Sequence, residues 1–200
     1  MPKIITLASQ KGGVGKSTLA LSIYHALIKY SDDIKPVLVE LDKQSSLANL
    51  KTIQELDFSL VNGFNKKTLE PYDIAILDTP PKLSKEIDKI YKASDLILIP
   101  TKTGLFDFVS TVQTVQNIQE VAPKAKTFVV LNMTTANTSL NEQVKTELKK
   151  SDIKTLKTNI GNRLAFHHMQ YNTGNIYNES NKKAKEEITA LTMEIYRHLI

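Results

Sequence analysis

A glycine-rich loop with two lysines is the stretch of this chain best suited to chemistry. Residues 10–18 read QKGGVGKST; they follow an apolar run, residues 4–8, and precede a helix-like run, residues 19–28. A strand, a glycine-rich turn and a helix in this order form a phosphate-binding loop, because glycines let backbone N–H groups approach an anion and the helix N-terminus adds partial positive charge. The sequence therefore predicts that Lys16 contacts the terminal phosphates of a nucleotide and that Ser17 ligates Mg²⁺.

The loop departs from the common pattern G-x-x-x-x-G-K-[ST]. Gln10 replaces the first glycine, and Lys11 adds a second lysine. This arrangement resembles the deviant Walker A motif, K-G-G-x-G-K-[ST], of the ParA/MinD family of ATPases. The resemblance implies that Lys16 acts within its own subunit and that Lys11 reaches the phosphates of a partner subunit; a solvated lysine on an exposed loop is the alternative for Lys11. The implied ATP-binding residues of the loop are Lys11, Gly12, Gly13, Val14, Gly15, Lys16, Ser17 and Thr18.

Two further apolar runs end in carboxylates that the same resemblance assigns to catalysis and metal binding. Residues 37–41 lead into Asp42 within a segment similar to the family's D-x-D-P-Q, although Glu40 replaces the first Asp and Lys43 replaces the Pro. The resemblance gives Asp42 the role of positioning the attacking water, and an N-cap of the following helix is the alternative. Residues 74–77 end at Asp78, and an apolar strand ending in Asp is typical of a Walker B site that holds Mg²⁺.

Two later segments predict contacts with the base and with DNA. Asn132 ends the apolar run 127–132, where the family has an Asn near the adenine; a simple turn start is the alternative. Arg163 lies in residues 160–166, which resemble a family segment whose arginine contacts the DNA backbone. Because binding without sequence preference works through phosphates, we expect Arg163 to contribute most unless it pairs with a nearby acid. Five lysines are expected to assist it: Lys149, Lys150, Lys182, Lys183 and Lys185.

The composition is compatible with a DNA-binding ATPase but does not require one. The 200 residues carry a formal net charge of +5, which favours a polyanionic partner. Yet 24 of the 26 basic residues are lysines, as an AT-biased coding sequence would also give. The absence of cysteine excludes disulfide scaffolds and cysteine-ligated metal sites. No apolar run approaches the ~18 residues of a membrane span, so we expect a cytoplasmic protein, and the family resemblance implies that it joins the nucleoid when it binds ATP.

The elements that must position these residues alternate between strands and helices. Strand, loop and first helix occupy residues 3–30, and further strands are predicted at 37–41, 58–61, 72–78, 95–100 and 127–132, with a short edge strand at 155–158. Further helices are expected at 47–56, 84–93, 108–121, 139–150 and 182–199. This alternation predicts parallel strands with right-handed crossovers. We therefore expect one P-loop ATPase domain over residues 1–200, an α/β fold whose mostly parallel, twisted sheet carries helices on both faces.

The resemblance covers most of the chain and is greatest to the small ParA, ParF-like plasmid partition ATPases. It implies Mg²⁺-dependent ATP hydrolysis, an ATP-bound homodimer that binds DNA without sequence preference, and a small centromere-binding partner that stimulates hydrolysis. Three alternatives are a MinD-like ATPase that positions a cargo or division protein, a small-molecule phosphotransferase or ligase, and a non-catalytic adaptor. The missing C-terminal membrane helix argues against the first, Lys11 against the second, and the intact Lys16, Asp42 and Asp78 against the third.

Overall fold

The strands of this protein form one parallel sheet. A computed structural model describes residues 1–136 and 138–200, and in that part of the chain the sheet has six strands in the order β3-β2-β4-β1-β5-β6. The strands are β1 (Lys3–Leu7), β2 (Pro36–Glu40), β3 (Leu60–Asn62), β4 (Ile74–Asp78), β5 (Leu96–Thr101) and β6 (Lys126–Leu131). Every neighbouring pair is parallel, which confirms the predicted α/β fold with a parallel sheet.

Helices cover both faces of this sheet. They are α1 (Lys16–Tyr30), α2 (Ser46–Ile53), α3 (Lys66–Leu69), α4 (Lys85–Ala93), α5 (Leu105–Val121), α6 (Leu140–Lys150), α7 (Leu164–Asn172) and α8 (Lys182–Leu199), with a 3₁₀ turn at Ile176–Asn178. Successive residues of a strand point to opposite faces, so Ile5 and Leu7 of β1 pack with α1 and α8, whereas Ile4 packs with α4 on the other side. Helix α5 and helix α6 cover β5 and β6 on that second face.

The strand register brings the predicted site residues to one edge of the sheet. Leu7, the last residue of β1, lies opposite Asp78 at the end of β4, and Glu40 at the end of β2 lies opposite Asp78 on its other side. The chain passes from β1 to β2 on one side of β1, and later from β4 to β5 on its other side. Ligands of open parallel sheets bind at the carboxyl ends of the strands beside such a switch point, so this edge is the candidate site.

Several predicted boundaries are wrong. The strand at 58–61 is shifted to Leu60–Asn62, α2 ends at Ile53 before the left-handed Glu55, and α5 begins at Leu105 rather than at 108. The short edge strand at 155–158 does not form; Thr155 makes one isolated bridge to Val129. The segment after Thr155 is joined to β6 by two separate backbone hydrogen bonds, from Leu156 to Val129 and from Ile160 to Leu131. The residues between these two bonds do not pair with β6 as a strand would.

Candidate nucleotide-binding site

The glycine-rich loop joins β1 to α1 as predicted. Gly13 and Gly15 have φ values of 70° and 88°, in the left-handed region that side chains with a Cβ rarely adopt. At Gly15, immediately before α1, an added Cβ would also collide with the Asn132 side chain. The loop therefore needs glycine at this position for two reasons, backbone conformation and close packing. The first N–H groups of α1 lack helical partners and are available to an anion held by the loop.

Lys16 points into the site rather than into solvent. It is the first residue of α1 and only 8% exposed. Burial lowers the pKa of its ammonium, while the negative charges of Asp78 and Asp42 oppose that shift. A buried cation facing two carboxylates is well placed to interact with an additional negative group, which the nucleotide phosphates would supply.

Ser17 and Asp78 form the best-defined candidate metal site. The Ser17 hydroxyl donates to Asp78 Oδ2 at 2.5 Å. Asp78 is 1% exposed, and its other oxygen, Oδ1, has no hydrogen-bond partner among the described residues. Burial is the main cause that raises the pKa of Asp78 to about 6. A buried carboxylate with a free oxygen, next to a hydroxyl, fits a hard cation such as Mg²⁺, which prefers oxygen ligands.

The two carboxylates at the end of β2 have different surroundings. Glu40 is 4% exposed, and its two oxygens accept the backbone N–H groups of Leu47 at 2.8 Å and Ala48 at 3.0 Å. It therefore satisfies the N-terminus of α2 in place of a conventional cap. Asp42 is half-buried, and its Oδ1 accepts the N–H of Gln44 at 3.0 Å in the loop before α2. The alternative of Asp42 as N-cap is wrong, because Ser45 precedes the helix.

Asp42 and the phosphate loop line the same cleft. This cleft has a volume of about 360 Å³, and its walls include Gly12, Gly13, Gly15, Lys16, Ser17, Thr18 and Asp42. The structure thus brings together most of the predicted phosphate-contacting residues with the carboxylate predicted to position water. The catalytic assignments of these side chains remain predictions.

Lys11 is held by an acid of its own chain. Its Nζ lies 2.7 Å from Asp107 Oδ1, at the first turn of α5. The Lys11 side chain is 39% exposed and that of Asp107 is 10% exposed. In this conformation Lys11 is therefore paired within its own chain and only partly exposed to solvent. To reach a partner subunit, Lys11 must first leave Asp107.

Asn132 has a positioning contact that the sequence did not predict. It is 4% exposed, and its Nδ2 donates to the carbonyl of Val14 at 2.7 Å. The side chain therefore holds the backbone of the glycine-rich loop in place. The backbone N–H of Asn132 donates to Thr101 at the end of β5. A contact with adenine remains a prediction.

Arg163 is engaged by Glu187 of α8. Its Nε donates to Glu187 Oε2 at 2.9 Å and its Nη2 to Oε1 at 2.5 Å, and both side chains are less than one-fifth exposed. Pairing with an acid is the alternative role stated for Arg163, and it occupies the planar fork that phosphate recognition requires. The partners lie 24 positions apart in the chain, and this spacing gives no sequence signal for the contact.

The five lysines named with Arg163 lie on two helices. Lys149 and Lys150 end α6, and Lys182, Lys183 and Lys185 begin α8. Lys150 pairs with Glu147 at 2.7 Å, and Lys182 lies 3.7 Å from Glu186. Both pairs are exposed, so they contribute little to stability and open readily.

Comparison with known proteins identifies the family of this chain. The sequence model of a family described as the CobQ/CobB/MinD/ParA nucleotide binding domain matches residues 5–170. The chain belongs to this family. The match confirms the resemblance to ParA/MinD proteins that the residues of the loop predicted.

Relatives and solved structures of this family align with most of the chain. The "Maintenance of carboxysome distribution protein A" of Gloeobacter kilaueensis is 28% identical over 73% of this chain and 69% of its own. A plasmid partition protein of Borrelia burgdorferi bound to AMPPNP has a TM-score of 0.74 and 20% identity, covering 98% of this chain and 99% of that one. Apo McdA of Cyanothece has a TM-score of 0.78 and 16% identity, covering 98% and 100%. These structures share the fold of this chain.

Proposed function

We propose that this protein is a Mg²⁺-dependent ATPase of the ParA/MinD type. The observation that carries the proposal is that Lys16 and Ser17, at the start of α1, line a cleft at the carboxyl edge of the sheet, and that Ser17 is hydrogen-bonded to the buried carboxylate of Asp78 beside it. The family match to a nucleotide-binding domain and the AMPPNP-bound Borrelia structure support it.

The residues in and around the cleft have separate roles in this proposal. The loop N–H groups and Lys16 bind the β- and γ-phosphates, and Ser17 and Asp78 hold Mg²⁺. Mg²⁺, when bound, neutralises charge on the phosphate oxygens. Asp42 orients the water that attacks the γ-phosphate. Lys11 leaves Asp107 and contacts the phosphates of a second subunit.

We infer that the cellular role of this protein is DNA partition. An ATP-bound homodimer binds DNA without sequence preference, and a small centromere-binding protein stimulates hydrolysis and release. The name of the Borrelia structure, a plasmid partition protein, supports this role. The alternative is MinD-like positioning of a protein cargo, which the carboxysome-distribution relative favours equally. None of the helices in the described residues is long and apolar enough to cross a bilayer.

The ATPase proposal is tested by Mg²⁺-dependent ATP binding and phosphate release. We expect Lys16→Ala to abolish both, because Lys16 supplies the buried ammonium that lines the cleft. Lys67→Ala is the matched control, since it removes an exposed lysine from α3. Wild-type protein that binds no ATP with Mg²⁺, or Lys16→Ala protein that binds it normally, would contradict the proposal.

A further inference from the structure

The second arginine of the chain lies in a basic groove far from the nucleotide cleft. Arg197, near the end of α8, is exposed and lines a cleft of about 790 Å³ together with Lys124, Lys126 and Lys154. We call this cleft the β6 groove because it runs past Lys126, the first residue of β6. Its other lining residues include His198, whose ring stacks on Phe128 at 4.3 Å between centroids.

Two neighbouring clefts continue the β6 groove in both directions. One, of about 490 Å³, shares Lys124 and Lys126 with it and extends to Lys3 and Lys92. The other, of about 530 Å³, shares Lys154 with it and extends along α6. The cations along this second extension are Lys145, Lys149 and Lys157. The three clefts form a continuous basic path over one end of the molecule.

Two of the four acids on this path already have partners. Asp95 pairs with Lys3 at 3.2 Å, and both oxygens of Glu194 accept backbone N–H groups, from Lys157 and Thr158. Asp152 and Glu142 also face the path. By contrast, within the described residues Lys124, Lys154 and Arg197 form no ion pair with a carboxylate. The groove therefore keeps a positive excess available to a ligand.

We propose that the β6 groove binds the phosphate backbone of duplex DNA. This inference rests on the DNA-binding part of the proposed function and names the surface responsible. Arg197 supplies the planar fork that matches phosphate oxygens, a role that Arg163 cannot fill while Glu187 holds it. Of the large apolar side chains exposed in the described part of the chain, only Ile200 lines this groove. A membrane surface would require apolar side chains to insert, so the lining favours a nucleic acid.

The position of the groove determines how ATP can affect DNA binding. It lies at the amino end of β6, whereas the nucleotide cleft lies at the carboxyl end of the sheet, about 16 Å away along the strand. ATP therefore does not need to form the groove. It strengthens binding by joining two subunits, because a dimer carries two grooves and a long DNA molecule bound at one groove is held near the other. A single subunit should bind DNA weakly without ATP.

The test compares two pairs of substitutions that remove the same charge. Arg197→Gln with Lys154→Gln removes two groove cations, and Lys66→Gln with Lys67→Gln removes two exposed cations from α3, near the opposite edge of the sheet. Fluorescence anisotropy measures binding of the full chain to two unrelated duplexes over a range of salt concentrations, with and without ATP. Urea unfolding checks that all proteins are folded.

We expect the groove variant to bind every duplex at least about tenfold more weakly, with a slope of log K against log salt reduced by about 2 per subunit. The α3 variant should bind as the wild type does. A groove variant with unchanged affinity and slope would overturn the groove assignment and leave DNA binding itself standing. The wild-type protein could instead bind no duplex and bind vesicles of phosphatidylcholine and phosphatidylglycerol through Arg197. That result would overturn both the groove assignment and the proposed DNA binding.

Discussion

Replacing Asp78 with Asn should stabilise the ligand-free protein at neutral pH and abolish its Mg²⁺-dependent function. Asp78 is 1% exposed, with one oxygen bound by Ser17 and the other without a partner in the described structure. A charged carboxylate in this position is unfavourable until a cation arrives. Asn keeps an acceptor for the Ser17 hydroxyl but carries no charge, so the folded chain loses this unfavourable term.

The size of the effect follows from the pKa of Asp78. Burial raises that pKa from the ordinary value of 3.8 to about 6. The folded protein holds the proton more tightly than the unfolded chain does, so stability falls as pH rises from about 4 to about 6. The full pKa shift lowers the free energy of unfolding by about 3 kcal/mol at pH 7, and about half of this loss is already present at pH 5. The Asn variant avoids this loss.

Urea unfolding at pH 5 and pH 7, without nucleotide or metal, measures the effect. The free energy of unfolding of Asp78→Asn should exceed that of the wild type by about 3 kcal/mol at pH 7 and by about half as much at pH 5. Asp57→Asn is the control, because Asp57 is exposed and its replacement should change stability by less than about 0.5 kcal/mol. A variant no more stable than the wild type at pH 7, or a gap independent of pH, would refute this reasoning.

Three other substitutions test the neighbouring residues. Glu40→Ala should lower the free energy of unfolding by about 2–4 kcal/mol, because the N–H groups of Leu47 and Ala48 lose their charged acceptor; unchanged urea stability would count against this cap. Lys11→Ala should bind ATP as a monomer but fail to dimerise with a non-hydrolysable analogue in size-exclusion chromatography, and normal dimerisation would exclude a role across the dimer. Asp42→Ala should bind ATP and dimerise but release phosphate slowly, whereas wild-type turnover would leave it a turn-forming role only.

The local parts of the site were predictable because their signals are contiguous. The order of strand, glycine turn and helix around Lys16 follows from residues that are neighbours in the chain, and the apolar run before Asp78 identifies its strand in the same way. Helix α4 was predicted at 84–93 for the same reason, and the structure gives it an N-cap, Ser84, whose side chain accepts from the N–H of Ile87. Such patterns depend on local backbone preferences and on the period of apolar residues.

The contacts that change the interpretation of single residues were not predictable. Arg163 pairs with Glu187, Lys11 with Asp107, and Asn132 with the Val14 carbonyl. The two residues of each pair are between 24 and 118 positions apart in the chain. The identity of an arginine or a lysine is the same whether it is free or paired, so its sequence neighbours carry no information about its partner.

The sequence by itself determined the fold class and the phosphate-binding loop, because both follow from the alternation of strands and helices and from glycines at fixed spacing. Only the tertiary structure decided which charges are available. In the folded chain Glu40 accepts a hydrogen bond from the backbone of α2, Arg163 pairs with Glu187, and Arg197 stays exposed in the β6 groove. The physical reason is that the availability of a charge depends on burial and on partners brought together by folding, which distances along the chain do not specify.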